Sequence, residues 1–100
     1  MIYITQLIYI KEGEVAAFLE FENHAIPLMS EYGGQLLLRI RPTDDTFIEI
    51  KGKKPYEIHF LTFPSEERLA AFLKDDRRQS LVHLKEQSIE SVLLVKGQKM

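Results

Sequence analysis

The spacing of apolar side chains changes along this chain, and the changes divide it into elements. Ile2 to Ile10 is dense in isoleucine and tyrosine and is stopped by Lys11-Glu12-Gly13. Branched and aromatic residues at that density predict a strand. Ile2, Ile4, Ile8 and Ile10 fall on one of its faces, and Tyr3, Leu7 and Tyr9 on the other. Both faces are apolar, so the strand is expected in the middle of a sheet, covered on both sides. From Glu14 the period lengthens. Val15, Phe18, Leu19, Ala25, Ile26, Met29 and Tyr32 recur at helical spacing and predict a helix over Glu14 to Tyr32. Pro27 has no N–H for the carbonyl four residues back, which predicts a kink or a second short helix. Gly33 is a natural stop.

Gly34 to Arg41 reads as a second strand, with Leu36, Leu38 and Ile40 facing one way and Leu37, Arg39 and Arg41 the other. Pro42-Thr43-Asp44-Asp45 is turn chemistry. Phe47 to Ile50 reads as a short strand or a continuation after a bulge, and Lys51-Gly52-Lys53-Lys54 turns the chain back. The stretch from Tyr56 to Asp76 reads as strand, stop, helix. Pro64 cannot donate to a sheet ladder and ends the strand. Ser65 is a good N-cap, and Glu66 and Glu67 sit where the helix dipole favours negative charge. Leu69, Phe72 and Leu73 give that helix an apolar face. Arg77 to Glu86 predicts a further short helix, with Leu81 and Leu84 inward, and Ile89 to Val95 a last strand.

Strand, helix, strand, strand, helix, strand is the βαββαβ order of a ferredoxin-like α+β sandwich. It implies a four-stranded antiparallel sheet in the order 4-1-3-2, with the helices on one face. Alternation places Ile2, Ile4, Ile8, Leu36, Leu38, Ile40, Tyr56, Ile58 and Phe60 under the helices. It places Tyr3, Leu7, Tyr9, Leu37, Arg39, His59, Leu61, Phe63, Leu93 and Val95 on the open face. That open face is too apolar for water. A second copy of the chain is its simplest cover, which predicts a homodimer packed sheet against sheet.

Composition narrows the classes. One hundred residues make one domain, residues 1–100. The absence of cysteine removes disulfides, thiolate nucleophiles and cysteine-based zinc sites. A net charge of -2 gives no basic field for nucleic acid or anionic lipid. No stretch approaches the ~20 apolar residues of a membrane span, and no basic leader precedes the first apolar run. A cytoplasmic globular domain is expected. The three histidines have no paired spacing, so neither a metal site nor a cofactor is expected.

Tyr32-Gly33-Gly34 leading into Leu36-Leu37-Leu38-Arg39, the strand end Phe63-Pro64-Ser65-Glu66, and Asp76-Arg77-Arg78 after the second helix carry a resemblance. Together they resemble the dimeric α/β-barrel superfamily and, within it, the group called domain of unknown function thirteen-thirty. The resemblance spans about Ile2 to Gly97. The superfamily is similar in shape to cofactor-independent monooxygenases of the antibiotic-biosynthesis type, muconolactone isomerases and haem-degrading enzymes. It implies a barrel-forming dimer and a pocket beside the sheet for a small, often aromatic, ligand. The motifs are structural punctuation and bring no catalytic set with them.

The candidate chemistry comes from the residues themselves. Glu22 falls inside the apolar stripe of the first helix. Burial there raises a carboxyl's pKa and suits it to act as general acid or base; at the stripe's edge it reaches solvent or pairs with an arginine. His59, on a central strand, is either a proton shuttle or a hydrogen-bonded interface residue. Glu57 and Arg39 share its face, which fits a cross-strand ion pair. Arg77 and Arg78 either clamp a carboxylate or phosphate or neutralise Asp75 and Asp76 in solvent. The expected pocket lies between the first helix and the sheet, with Phe18, Glu22, Tyr32, Tyr56 and Ile58 around it and Arg39 and Tyr3 as further ligand contacts. Glu22 and His59 are its candidate catalytic residues. Three functions follow: a binder of a small apolar or aromatic molecule, a cofactor-independent oxygenase or isomerase acting on an aromatic or enolisable substrate, and a structural dimerisation module.

Overall fold

The strand-forming runs and the helical stripe become the frame of the computed structural model, which describes residues 1–100. The elements are β1 (Ile2–Ile10), α1 (Val15–Ser30), β2 (Gln35–Ile40), β3 (Glu57–Phe63), α2 (Glu66–Lys74), α3 (Asp76–Gln79), α4 (Val82–Ser88) and β4 (Ile89–Gly97). The strands form one antiparallel sheet in the order β2-β3-β1-β4, the order expected of a ferredoxin-like α+β fold. The helices lie on one face. Ile2 and Ile4 of β1, Leu61 and Phe63 of β3, Leu28 and Met29 of α1 and Phe72 of α2 pack into the main core. A second cluster joins Ala17, Phe21 and Ala25 of α1 to Leu84 of α4.

Local chemistry sets the boundaries. α1 stops in a Schellman pattern: the Gly33 N–H donates to the Ser30 carbonyl and the Gly34 N–H to the Met29 carbonyl, both at 3.1 Å. Gly33 has a φ of +77°, which a side chain would strain. Ser65 caps α2 by accepting from the Arg68 N–H at 3.2 Å. Asp75 caps α3 by accepting from the Arg77 N–H at 2.8 Å.

Four expectations change. α1 continues as one helix through Pro27, so of the two expected outcomes the second short helix does not form. Arg77 to Glu86 is divided between α3 and α4 rather than forming one helix. Phe47 to Ile50 forms no strand; a short 3-10 turn at Asp44–Thr46 precedes it and Ile48 is fully exposed. The sheet offers β3 no free edge for it, since β2 and β1 already occupy both.

The fourth change concerns faces. β3 pairs with β1 so that Phe63, Leu61, His59 and Glu57 stand opposite Ile2, Ile4, Gln6 and Ile8. These residues, not Ile58 and Phe60, lie under the helices, while Tyr56, just before the strand, meets α1 through Phe18. β2 carries a register shift between Leu36 and Leu38. Leu36 faces the helices as expected, but one extra residue turns Leu38 and Ile40 outward and Arg39 inward. The open face therefore carries Tyr3, Leu7, Tyr9, Leu38, Ile40, Ile58, Phe60, Leu93 and Val95.

Candidate functional site

The register shift brings Arg39 opposite His59 on the covered face. Glu57, only 1% exposed, is the acceptor at the centre of the cluster. Arg39 donates to it from Nε at 2.8 Å and Nη2 at 3.2 Å, and Arg41 from Nη2 at 2.6 Å and Nε at 3.2 Å. His59 Nε2 lies 2.8 Å from the same carboxylate. Burial alone would push the Glu57 carboxyl up; the hydrogen bonds from Arg39, His59 and Arg41 outweigh it and hold the pKa below the usual range. An ionised carboxylate only accepts, so the proton of the His59 ring sits on Nε2. Burial lowers the His59 pKa against the opposing pull of Glu57. A neutral imidazole held this way keeps Nδ1 as a lone-pair acceptor, a geometry suited to a general base.

Glu22 projects from α1 toward the same layer. It is 7% exposed, and burial pushes its pKa up to about 7, with Arg39 and Arg78 pulling it down and Glu57 pushing it further up. No hydrogen bond contributes to that balance. Arg78, from α3, is the reverse case. Its guanidinium stands 5.2 Å from the Phe72 ring centre and 5.9 Å from that of Phe21. Its Nε is shielded from solvent and has no acceptor in the protein. Burial lowers its pKa, and the Glu22 charge partly restores it.

His59, Glu22 and Arg78 meet at one cavity of about 300 Å³. Gln6 and Ile8 of β1, His59 of β3 and Val92 and Leu94 of β4 form its floor. Phe21, Glu22, Ala25, Ile26 and Met29 of α1 form one wall; Phe72, Leu73, Arg78, Lys85 and Ile89 complete it. The lining is mostly apolar with a few polar groups converging, the usual character of a small-molecule site. No three histidine or acidic side chains are placed to hold a metal ion, and no helix is long and apolar enough to cross a membrane.

Glu22 and His59 thus share one cavity, and His59 reaches it because β3 presents the opposite face from the one its pattern suggested. The other expected contacts lie elsewhere. Phe18 is wholly buried and packs edge-on against Tyr56 at 5.8 Å. Tyr56 sits beneath Arg41, whose guanidinium is 4.8 Å from its ring centre, at a separate recess. Tyr32 packs on Phe72 and donates its hydroxyl to Asp75. Ile58 and Tyr3 face the open side, where Tyr3 stacks on Phe60 at 5.9 Å. Arg39 is committed to Glu57. Sequence reasoning passed over Gln6 and Lys85, and it read Arg77 and Arg78 as one unit. Only Arg77 pairs with Asp75, at 2.9 Å, and also with Glu31, at 3.1 Å. The signal for separating the two was the ~100° turn between consecutive helical residues.

No family model matches the sequence, the group suggested by its punctuation motifs included, and no curated protein matches it. Solved structures do. A protein of unknown function from Rhodopseudomonas palustris superposes with a TM-score of 0.84 at 12% identity, over 99% of this chain and 82% of its own. An uncharacterised NIPSNAP domain protein from Burkholderia xenovorans gives 0.71 at 15% identity, over 100% and 95%. An antibiotic-biosynthesis-monooxygenase-like protein from Nitrosomonas europaea gives 0.73 at 13% identity, over 100% and 99%. At these identities the likeness establishes the ferredoxin-like fold and nothing finer.

Proposed function

We propose that this protein binds a small, largely apolar molecule in the cavity between α1 and the sheet, and that it does so as a homodimer closed sheet against sheet. The observation that carries the reading is the convergence of Glu22 and His59 on one apolar cavity, with Glu22 unpartnered and His59 oriented by Glu57. A purely structural module has no use for a carboxyl held in that position without a hydrogen bond. The dimer reading rests on the open face, where Leu38, Leu93 and Val95 are each about half exposed. Native mass spectrometry of the protein as purified tests both parts. The expected result is the mass of two chains plus a reproducible added mass from a bound small molecule. A bare monomer overturns the reading.

One observation favours a second reading, an enzyme. A neutral imidazole with its proton fixed on Nε2, in the same cavity as a carboxyl whose pKa burial raises to about 7, gives two groups able to move a proton on a bound substrate. The likeness to a monooxygenase-like structure fits a cofactor-independent oxygenase or isomerase acting on an aromatic or enolisable compound. In that reading Glu22→Gln abolishes turnover with the fold intact; in the binding reading it only alters affinity.

A further inference from the structure

Arg78 lines the cavity, and the proposed binding and proton-transfer roles leave it unused. Arg78 is partly buried, with its Nε fully shielded, and a guanidinium drawn out of water usually has a carboxylate partner, because desolvating the charge is costly unless it is paired. The acids around Arg78 are otherwise engaged or out of reach. Asp75 holds Arg77, Arg41 and Arg39 hold Glu57, and Glu22 acts on Arg78 only through its charge. Phe21 and Phe72 flank the guanidinium and leave its shielded Nε with no acceptor. Lys85 adds a second cation to the lining, while the Glu57 charge is already countered by two arginines. The fixed charge facing the cavity is positive on balance.

We infer that the molecule held in this cavity is a small carboxylic acid, its apolar body against Phe21, Ile26, Met29 and Leu94 and its carboxylate on Arg78. This rests on the reading of the cavity as a binding site and names the chemistry it selects. With Nε shielded, the donors left to the cavity are those on the two Nη atoms; a carboxylate's two oxygens match such a pair, as a phosphate's do, and the mostly apolar lining suits the singly charged carboxylate. The volume, about 300 Å³, equals on the order of ten water volumes at ~30 Å³ each, which suits one aromatic ring or a short alkyl chain. Glu22 sets a pH dependence. It is faced by Arg39, Glu57 and His59 from the sheet, Arg78 from α3 and Lys85 from α4. His59 stays neutral near pH 7, so protonating Glu22 removes the one uncompensated negative charge in the cavity. Affinity for the acid therefore rises as pH falls from about 8 to about 6.

Calorimetric titration of the full chain with benzoate, phenylacetate and octanoate, each beside its own amide, tests the inference. At least one acid is expected to bind about ten-fold or more tightly than its amide. Arg78→Gln should erase that preference, and Arg78→Lys, which keeps the charge and loses the fork, should keep part of it. Circular dichroism confirms that each variant is folded. Equal binding of acid and amide to the wild type overturns the carboxylate inference and leaves the cavity reading standing. A preference that survives in folded Arg78→Gln overturns the role of Arg78. No binding by any acid or amide overturns both readings.

Discussion

Two buried glutamates carry opposite shifts, and the contrast turns on hydrogen bonds. Glu57 accepts from three side chains and stays ionised; Glu22 accepts from none, and its pKa stands at about 7 against an ordinary 4.5. That difference corresponds to ~3 kcal/mol at 1.36 kcal/mol per pKa unit. The folded state holds the Glu22 proton more tightly than the unfolded chain does. The resulting stability is fully present below the unfolded pKa and is lost as pH rises through about 7. A glutamine mimics the protonated carboxyl at every pH. Glu22→Gln is therefore expected to raise the melting temperature near pH 8, by the equivalent of about 1–3 kcal/mol, and to leave it nearly unchanged near pH 5. Thermal melts at the two pH values check this. Equal losses at both would mean that the carboxylate is held by a contact the structure does not contain. A residue that weakens the fold at neutral pH is one kept for something other than the fold.

At the scale of elements, the junction of α1 with β2 and the phase of β3 fix the cavity. Gly34 lies where a Cβ would meet Met29 Cγ at 2.5 Å and the Phe63 ring at 2.8 Å. Gly34→Ala must displace the buried Met29 side chain and the Phe63 ring and is expected to cost roughly 1–3 kcal/mol, read as a lower urea midpoint at unchanged slope. An unchanged midpoint would mean that the junction is looser than its contacts. The elements were mostly legible in the sequence because their periods differ and because Gly33, Pro64 and Ser65 act locally. The faces were not. β3 has apolar residues on both alternations, Ile58 and Phe60 against Leu61 and Phe63, and its polar Glu57 and His59 argue for the open side under ordinary patterning. Glu57 is buried because the Arg39 and Arg41 guanidiniums reach it, and His59 because it bonds to Glu57; the arginines arrive inward only through the extra residue at the Leu36-Leu37-Leu38 run, where three leucines carry no phase. Glu22 was legible because one acid in a helical stripe stands out at once. Arg78 was not, because a short helix beside another arginine has no stripe to break.

As a whole the molecule is a slab of 36 × 36 × 17 Å, two layers thick, and its two broad sides differ in kind. Helices cover one side and enclose the cavity; the other is bare sheet, with Leu93 and Val95 of β4 at 55% and 56% exposure. A side of that extent exceeds the ~800 Å² per partner that a standard interface buries. Leu93 and Val95 stand beside Leu7 and Thr5 of β1 on this face, while Val92 and Leu94 of the same strand line the cavity on the other. The proposed association face and the proposed binding cavity are thus separated by the thickness of one strand. Replacing Leu93 and Val95 together by lysine sets like charges against each other in a two-fold sheet-to-sheet contact, and it leaves the cavity lining untouched. Sedimentation velocity at micromolar concentration should give a dimer for the wild type and a monomer for the double variant. Titration of the monomer with the best-bound acid should return an affinity within a few-fold of the wild type. A wild-type monomer would remove the second copy as the cover of this face. A variant that loses association and binding together would show that the opposed sheet holds β4 in the register that shapes the cavity, so that pairing of the chains is part of the site.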